Sequence, residues 1–329
     1  MVGYQSRTGL LRTLGAVLGT RLATILHTLC IEHAAQNVVA HTGKIANATA
    51  ADQHDRVLLQ VVALTGDEEL TGKPISLSRK DLIDAGKRSD IALGFENSTG
   101  FNNVTLARRG SSGWKVEIEG KRAHSSGIFM PGVGAGAVFE AGRILNDFYE
   151  TLKGETYLTF NPGIIIGGTE MSYDEPSNTG NAFGKTNVVA QSVVVHGGLR
   201  TISSMQEAEA RASMRAIAET NHRPGTEAII TFSDGYPSMP PTEGNKVVLS
   251  KLNQVSIDLG YGPVEAYDPG KRGAADVSFI AEYVDAIDGI GAEGAGAHTP
   301  DENIDLATLP MLVERASILI YRLGTQEDL

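Results

Sequence analysis

Apolar and polar positions follow two different rhythms along this chain, and the change of rhythm divides it. "RVLLQVVAL" (56–64) is a continuous apolar run, the pattern of a strand buried on both faces of a parallel sheet. "SRKDLIDAGK" (78–87) reads as a helix opened by Ser78 with Asp81 three residues on, a capping-box variant. "DIALGF" (90–95) is the next strand. Strand, helix, strand in that order predicts a parallel crossover and an α/β layer. After Gly113 the rhythm changes. "WKVEIEG" (114–120) alternates, as a strand with one solvated face does. "GAVFEAGRILNDFYETLK" (136–153) sets Val138, Ala141, Leu145, Phe148 and Leu152 on one helical stripe. Strands in "YLTF" (157–160) and "TNVVAQSVVVHGGLR" (186–200), a helix over 204–219 and a strand at "TEAIITF" (226–232) complete an α+β module with an open antiparallel sheet.

Past Pro240 the first rhythm returns. "NKVVLSKLNQVSIDLG" (245–260) is an amphipathic helix, "AADVSFIAEY" (274–283) a second helix with Asp276 as its N-cap, and "DAIDGIG" (285–291) a short strand. "TLPMLVERASILIYRLG" (308–324) closes the pattern as a helix with Thr308 at its N-cap. The fold class expected is α/β, a sheet with flanking helices, interrupted by an inserted α+β lid or dimerisation domain. Residues 1–109 form the first part of the α/β domain, 110–238 the insertion and 239–329 the second part.

Composition narrows the ligand. The 329 residues carry a net charge of −11, which disfavours nucleic acid and anionic membrane as partners. The balance fits a soluble protein with a small ligand and bound cations, the cytoplasm being favoured over export. The single cysteine, Cys30, precludes an internal disulfide and a cysteine-rich metal knuckle. Residues 1–31 hold Arg7, Arg12 and Arg21 and no acid, so a transit-type segment and a plain N-terminal helix are both consistent with them. Residues 1–50 are atypical. A native start, a targeting segment and a shifted reading frame all remain compatible with that stretch.

The candidate chemistry sits at strand ends, where open α/β sheets gather their ligands. "TGDEE" ends one apolar run with three successive carboxylates, Asp67, Glu68 and Glu69, whose repulsion calls for a cation, a proton or water. Glu96 follows the 90–95 strand in "GFEN". His298 lies in the glycine-rich loop "GAEGAGAHTPDENIDL" (291–306). Three such donors can converge on zinc or a harder cation.

These motifs occur in a set order. "TGDEE", "GFE", "GKRAHSSG", "NVVAQSVVVHGGLR", "GAADVSF" and "GAHTPDENIDL" together resemble the two-zinc aminoacylase and glutamate-carboxypeptidase family over about residues 56–323. That family also contains acetylornithine deacetylase and succinyl-diaminopimelate desuccinylase. The resemblance implies a catalytic α/β domain with two metal ions per chain, zinc or substituting cobalt or manganese, and a lid domain that dimerises. It implies a small peptide or N-acyl amino acid as substrate and a homodimer as the assembly. Residue by residue, Glu68 matches the general base, Glu69 and His298 match ligands of one metal, and Glu96 matches a ligand of the other. His124 matches a lid histidine that reaches the scissile carbonyl's oxyanion across the dimer. Arg200 and Asn187 match lid positions that contact a substrate carboxylate. Tyr236 stands where relatives have an arginine for that carboxylate. His196 and His222 are read as structural.

Two family features are missing. Two places after His27, His33, His41 and His54 stand Leu29, Ala35, Gly43 and Arg56, so no His-x-Asp motif precedes Glu68. The bridging aspartate in an Asp-x-Lys-Gly loop has no counterpart either. Two functions from different classes therefore stand. One is a metal-dependent amide hydrolase in which a glutamate base acts on a metal-activated water. The other is a catalytically crippled homologue that keeps the dimer and at most partial metal binding.

Overall fold

The computed structural model describes residues 41–45, 58–66, 68 and 72–325. In chain order the first elements are β1 (His41–Ile45), β2 (Leu58–Val62), α1 (Ile75–Ser78), α2 (Lys80–Gly86), β3 (Ile91–Leu93) and β4 (Asn103–Val104). Then come β5 (Ser111–Gly120), α3 (Ala137–Leu152), β6 (Thr159–Gly168), β7 (Glu170–Asp174), β8 (Thr179–Phe183), β9 (Ser192–Arg200), α4 (Ser204–Glu219) and β10 (Thr226–Tyr236). The last are α5 (Glu243–Asp258), β11 (Glu265–Ala266), β12 (Asp285–Ile287), β13 (Gly294–Ala295), β14 (Asn303–Ile304) and α6 (Leu309–Thr325). The expected fold class holds: an α/β body built from both ends of the described chain, with an α+β insertion between them. No described helix is long and apolar enough to cross a membrane.

In the body, β3 pairs in parallel with β12 and β4 in parallel with β11. The pleat sends alternate side chains to opposite faces. Ile91, Leu93 and Ile287 join Val104, Val248, Leu252 and Leu319 on one side, under α5 and α6. Ala92 and Ala286 join Leu82, Val277, Phe279 and Ile280 on the other, under α2. Both faces of the β3–β12 pair are thus covered, which is why "IAL" (91–93) and "AI" (286–287) are apolar without a break. Asn245, at the start of α5, is buried and locks this layer. Its amide donates to the Leu106 and Pro240 carbonyls at 3.1 and 3.0 Å and accepts from the Ala286 N–H at 2.8 Å.

Three body expectations change. Within the 56–64 run, Leu58–Val62 forms β2, but β2 pairs antiparallel with β1 rather than entering a parallel crossover with β3. An apolar run looks the same for either partner direction, and tertiary packing decides between them. The 78–87 helix begins at Lys80. Ser78 ends α1 instead, donating its hydroxyl to the Gly72 and Ile75 carbonyls at 2.9 and 3.3 Å. "AADVSFIAEY" yields only a single 3-10 turn, Asp276–Phe279, whose N-cap is Ala275. Asp276 is not the cap because its carboxylate is taken by a buried arginine, described below.

The insertion is a four-stranded antiparallel sheet in the order β10-β5-β9-β6, with α3 and α4 packed on one face. Alternation along β5 buries Trp114, Val116 and Ile118. Trp114 meets Phe148 of α3 edge-on at 5.6 Å between ring centroids and donates its indole N–H to the Gly198 carbonyl at 3.1 Å. That fit explains the first glycine of "HGGLR". A Cβ at Gly197 would lie 2.5 Å from the Trp114 ring and 2.2 Å from the Asn161 carbonyl. The buried stripe of α3 is Ala137, Ala141, Ile144, Phe148 and Leu152, so Ala137 and Ile144 take the places expected of Val138 and Leu145, the latter being only partly buried. Val138, Phe139 and Tyr149 face outward and are more than half exposed. A β7–β8 hairpin that the apolar pattern does not announce follows the edge strand β6.

One carboxylate holds the lid helices to the turn behind them. Glu140 of α3 is wholly buried. It accepts from the Arg143 guanidinium (2.6 Å), the Arg223 N–H (2.9 Å) and the His222 ring (3.2 Å). Burial alone would push its pKa up, but these donors outweigh burial and hold it below the ordinary value. A depressed folded-state pKa contributes stability above the unfolded pKa and loses it as pH falls through the folded one. Glu140→Gln is therefore expected to cost about 1–3 kcal/mol at neutral pH. Its difference from wild type should shrink on acidification below the ordinary carboxylate range, as followed by thermal unfolding.

Candidate active site

The carboxyl ends of β3 and β12 come together around one buried ion pair. Arg108 Nε lies 2.6 Å from Asp288 Oδ2, and both side chains are almost fully buried. Arg108 also donates to the Gly273 carbonyl at 2.9 Å. The other Asp288 oxygen accepts from the Gly289 N–H at 2.6 Å and, weakly, from the Glu96 N–H at 3.4 Å. The glycine of "GFE" is what admits it, because a Cβ on Gly94 would sit 2.2 Å from that oxygen. Asp288 thus presses its charge against the turn that carries Glu96. Burial, and next Asp288, raise the Glu96 pKa, while Arg108 and Arg272 oppose the rise. Arg272 itself donates to the Asn97 carbonyl at 3.2 Å, and burial, then Arg108, lowers its pKa.

Glu68 lies at the end of the stretch after β2 and is half-buried. Its backbone carbonyl accepts from the Tyr236 hydroxyl at 2.6 Å. Tyr236, the last residue of β10, thereby ties the exit of the insertion to this loop. The same hydroxyl accepts from Arg79 at 3.3 Å, and Arg79 Nε donates to Asp276 at 2.9 Å. Glu69 and Asp67 lie outside the described residues. His298 is exposed in the loop between β13 and β14. Its φ of 63° is left-handed, a conformation uncommon for any residue but glycine.

In the insertion, His124 and Asn187 are brought together by the backbone. His124 bridges to Val188, and the Ser125 N–H donates to the Asn187 carbonyl at 2.9 Å. The His124 ring accepts from the Ser126 N–H at 3.2 Å, which fixes its orientation at the start of a short 3-10 turn. Arg200 ends β9, opposite Thr159 of β6. Burial around its guanidinium, and then Arg109, lower its pKa. Arg109 bonds the Thr159 hydroxyl and the Gly270 carbonyl, each at 3.0 Å. His222 braces Glu140, and His196 bonds Asn178 at 3.0 Å.

The donor chemistry suits a divalent cation. Carboxylates and an imidazole are zinc ligand types, and Glu96 is a carboxylate whose charge burial and a like neighbour disfavour until a cation balances it. Among the described residues no three His, Cys, Asp or Glu side chains stand together in a way that could hold a metal ion, and the expected ligand Glu69 is not among those residues. Reading the sequence for carboxylates and histidines passed over Asp288, Arg108 and Arg79. Asp288, an acid inside the apolar "DAIDGIG", carried a usable signal. Arg79, inside a run of surface-like residues, carried none.

Residues 106–226 match the peptidase dimerisation domain of the M20 peptidases. The fold is shared with solved structures of peptidases. Aminopeptidase PepT from Bacillus cereus is 18% identical with a TM-score of 0.61, over 80% of this chain and 64% of that one. A Staphylococcus aureus tripeptidase is 19% identical with a TM-score of 0.59, over 81% and 64%. The Bacillus subtilis YXEP protein, a dinuclear metal binding peptidase of the M20 family, is 15% identical with a TM-score of 0.55, over 78% and 62%. The chain spans less than two thirds of the length of each of these proteins. No curated protein matches it in sequence. The resemblance to the two-metal peptidase family is thus borne out in the insertion and in the fold.

Removing Asp288 tests the geometry of the strand ends. Asp288→Ala leaves Arg108 buried without its counter-ion and should lower stability by about 3–5 kcal/mol. Chemical denaturation measures this, and a loss under about 1 kcal/mol would mean that the pair is not buried as described.

Proposed function

We propose that the protein is a metal-dependent hydrolase of an amide bond in a small peptide or N-acyl amino acid, working as a homodimer. The observation that carries the reading is Glu96, a half-buried carboxylate at a strand end beside Asp288, in an α/β body interrupted by a peptidase dimerisation domain. Glu96, Glu69 and His298 would hold zinc, with cobalt or manganese as substitutes. When bound there, the metal supplies a water acidic enough to be deprotonated near neutral pH and polarises the scissile carbonyl.

The chain's own groups do the rest. Glu68 accepts the water's proton as oxygen adds to the carbonyl carbon, and returns it to the amine as the C–N bond breaks. His124 donates to the oxyanion that forms, reaching it from the partner's lid. Its ring nitrogen Nδ1 is occupied by the Ser126 N–H, which leaves Nε2 for this contact. Arg200 and Asn187 hold the substrate's carboxylate, a task for which the paired donors of a guanidinium are suited. Dimerisation through α3 and the edge strand β6 accounts for the outward Val138, Phe139, Tyr149 and Ile165. The absence from this sequence of a His-x-Asp motif before Glu68 favours the second reading, a non-hydrolytic homologue, if the metal cannot be retained.

The deciding experiment is hydrolysis of a panel of N-acyl amino acids and dipeptides with added zinc, cobalt or manganese. Glu68→Gln should cut turnover about a hundred- to ten-thousandfold with metal content unchanged. Glu69→Gln should lower metal occupancy instead. Light scattering on the same samples should give twice the mass of one chain. Wild type inactive and metal-free across the panel would leave the non-hydrolytic reading, and a monomer mass would strip His124 of its cross-subunit role.

A further inference from the structure

We propose that Arg79 and Tyr236 are positioning residues for Glu68, and that through them the lid's exit strand sets where Glu68 stands. The proposal rests on the reading of Glu68 as the base. Arg79 joins α1 to α2 and is fully buried, a costly place for a guanidinium unless it is paired and hydrogen-bonded. It is both. Nε donates to Asp276 Oδ1 at 2.9 Å, and the guanidinium lies 5.5 Å from the centre of the Phe279 ring. Its terminal nitrogen donates to the Tyr236 hydroxyl at 3.3 Å.

The direction of this chain is fixed by chemistry. Arginine can only donate, so the phenol oxygen must accept from it and commit its one proton elsewhere. That proton goes to the Glu68 carbonyl at 2.6 Å. A cation feeding a phenol strengthens the phenol's own donation, because successive bonds polarise one another. The Tyr236 ring is fixed as well, packed on Phe279 at 4.9 Å between centroids. Asp276 and Phe279 belong to one 3-10 turn, so a single turn grips both ends of the relay. With its proton committed, Tyr236 holds the base in place and leaves the substrate's carboxylate to other groups.

The placement of Tyr236 extends the consequence. It is the last residue of β10, and the pairing of β10 with β5 loses register between Ser233 and Tyr236. The strand therefore leaves the insertion at an irregular point whose final side chain holds Glu68. A shift of the lid at that point moves the Glu68 backbone with it.

The test is Tyr236→Phe in the full-length protein, which removes one oxygen and keeps the ring on Phe279, with Arg79→Lys as the second variant. Two readouts are taken on folded, metal-loaded protein. Amide hydrogen exchange in peptides containing Glu68 should quicken severalfold in Tyr236→Phe, while peptides from β9 exchange as in wild type. kcat should fall roughly ten- to a hundredfold, the scale of a small misplacement of a reacting group. KM and metal content should stay near the wild-type values, a split that a general loss of stability would not produce. Arg79→Lys should lower kcat likewise and add little to Tyr236→Phe. An active wild type whose Tyr236→Phe variant keeps its kcat or its exchange pattern overturns the proposal and spares the assignment of Glu68. An inactive wild type removes the base itself, and the proposal falls with it.

Discussion

The buried Arg108–Asp288 ion pair is the constraint on which the candidate site depends. It joins the segment about to enter the insertion to the end of β12, where Asp288 presses on the turn bearing Glu96. A pair this enclosed adds little net stability compared with apolar residues of the same volume. What it fixes is register. The Asp288 carboxylate occupies the space a Cβ on Gly94 would need, and burial, with the same carboxylate second, raises the Glu96 pKa. Glu96 thus stands half-buried at a strand end, its N–H directed at a second carboxylate.

A second buried arginine repeats this arrangement beside the 3-10 turn Asp276–Phe279. Arg79 gathers Asp276, Phe279 and Tyr236 and reaches the Glu68 backbone through the tyrosine. Both arginines draw on the stretch after Pro269, one through the Gly273 carbonyl and one through Asp276. Segments from both halves of the sequence are therefore held by guanidinium groups, and each set closes near the place where the insertion departs or returns.

Much of this was legible in the sequence wherever one face of an element meets water. Alternation in "WKVEIEG" gave β5 with its inward Trp114, Val116 and Ile118. The inserted domain could be read from the change of rhythm after Gly113, and the order of motifs from the family resemblance. Continuous apolar runs were harder. The 56–64 run could not reveal its antiparallel partner, because continuous apolarity carries no direction. Asp276 looked like a helix cap since it follows small residues, but a distant arginine claims it, and only "AADVSFIAEY" in three dimensions reveals this. His124 and Asn187 lie in different motifs, and the pairing of their two segments, visible only in the structure, makes them neighbours.

The account requires that Glu96 and His298 hold a metal ion in the folded protein. Zinc content after loading and exhaustive dialysis, measured by mass spectrometry of the elements, tests that requirement most directly. Wild type should retain roughly one to two zinc ions per chain. Glu96→Gln and His298→Ala should each retain clearly less while keeping the wild-type fold by circular dichroism. Zinc-free wild type, or variants that hold zinc as wild type does, would contradict the account.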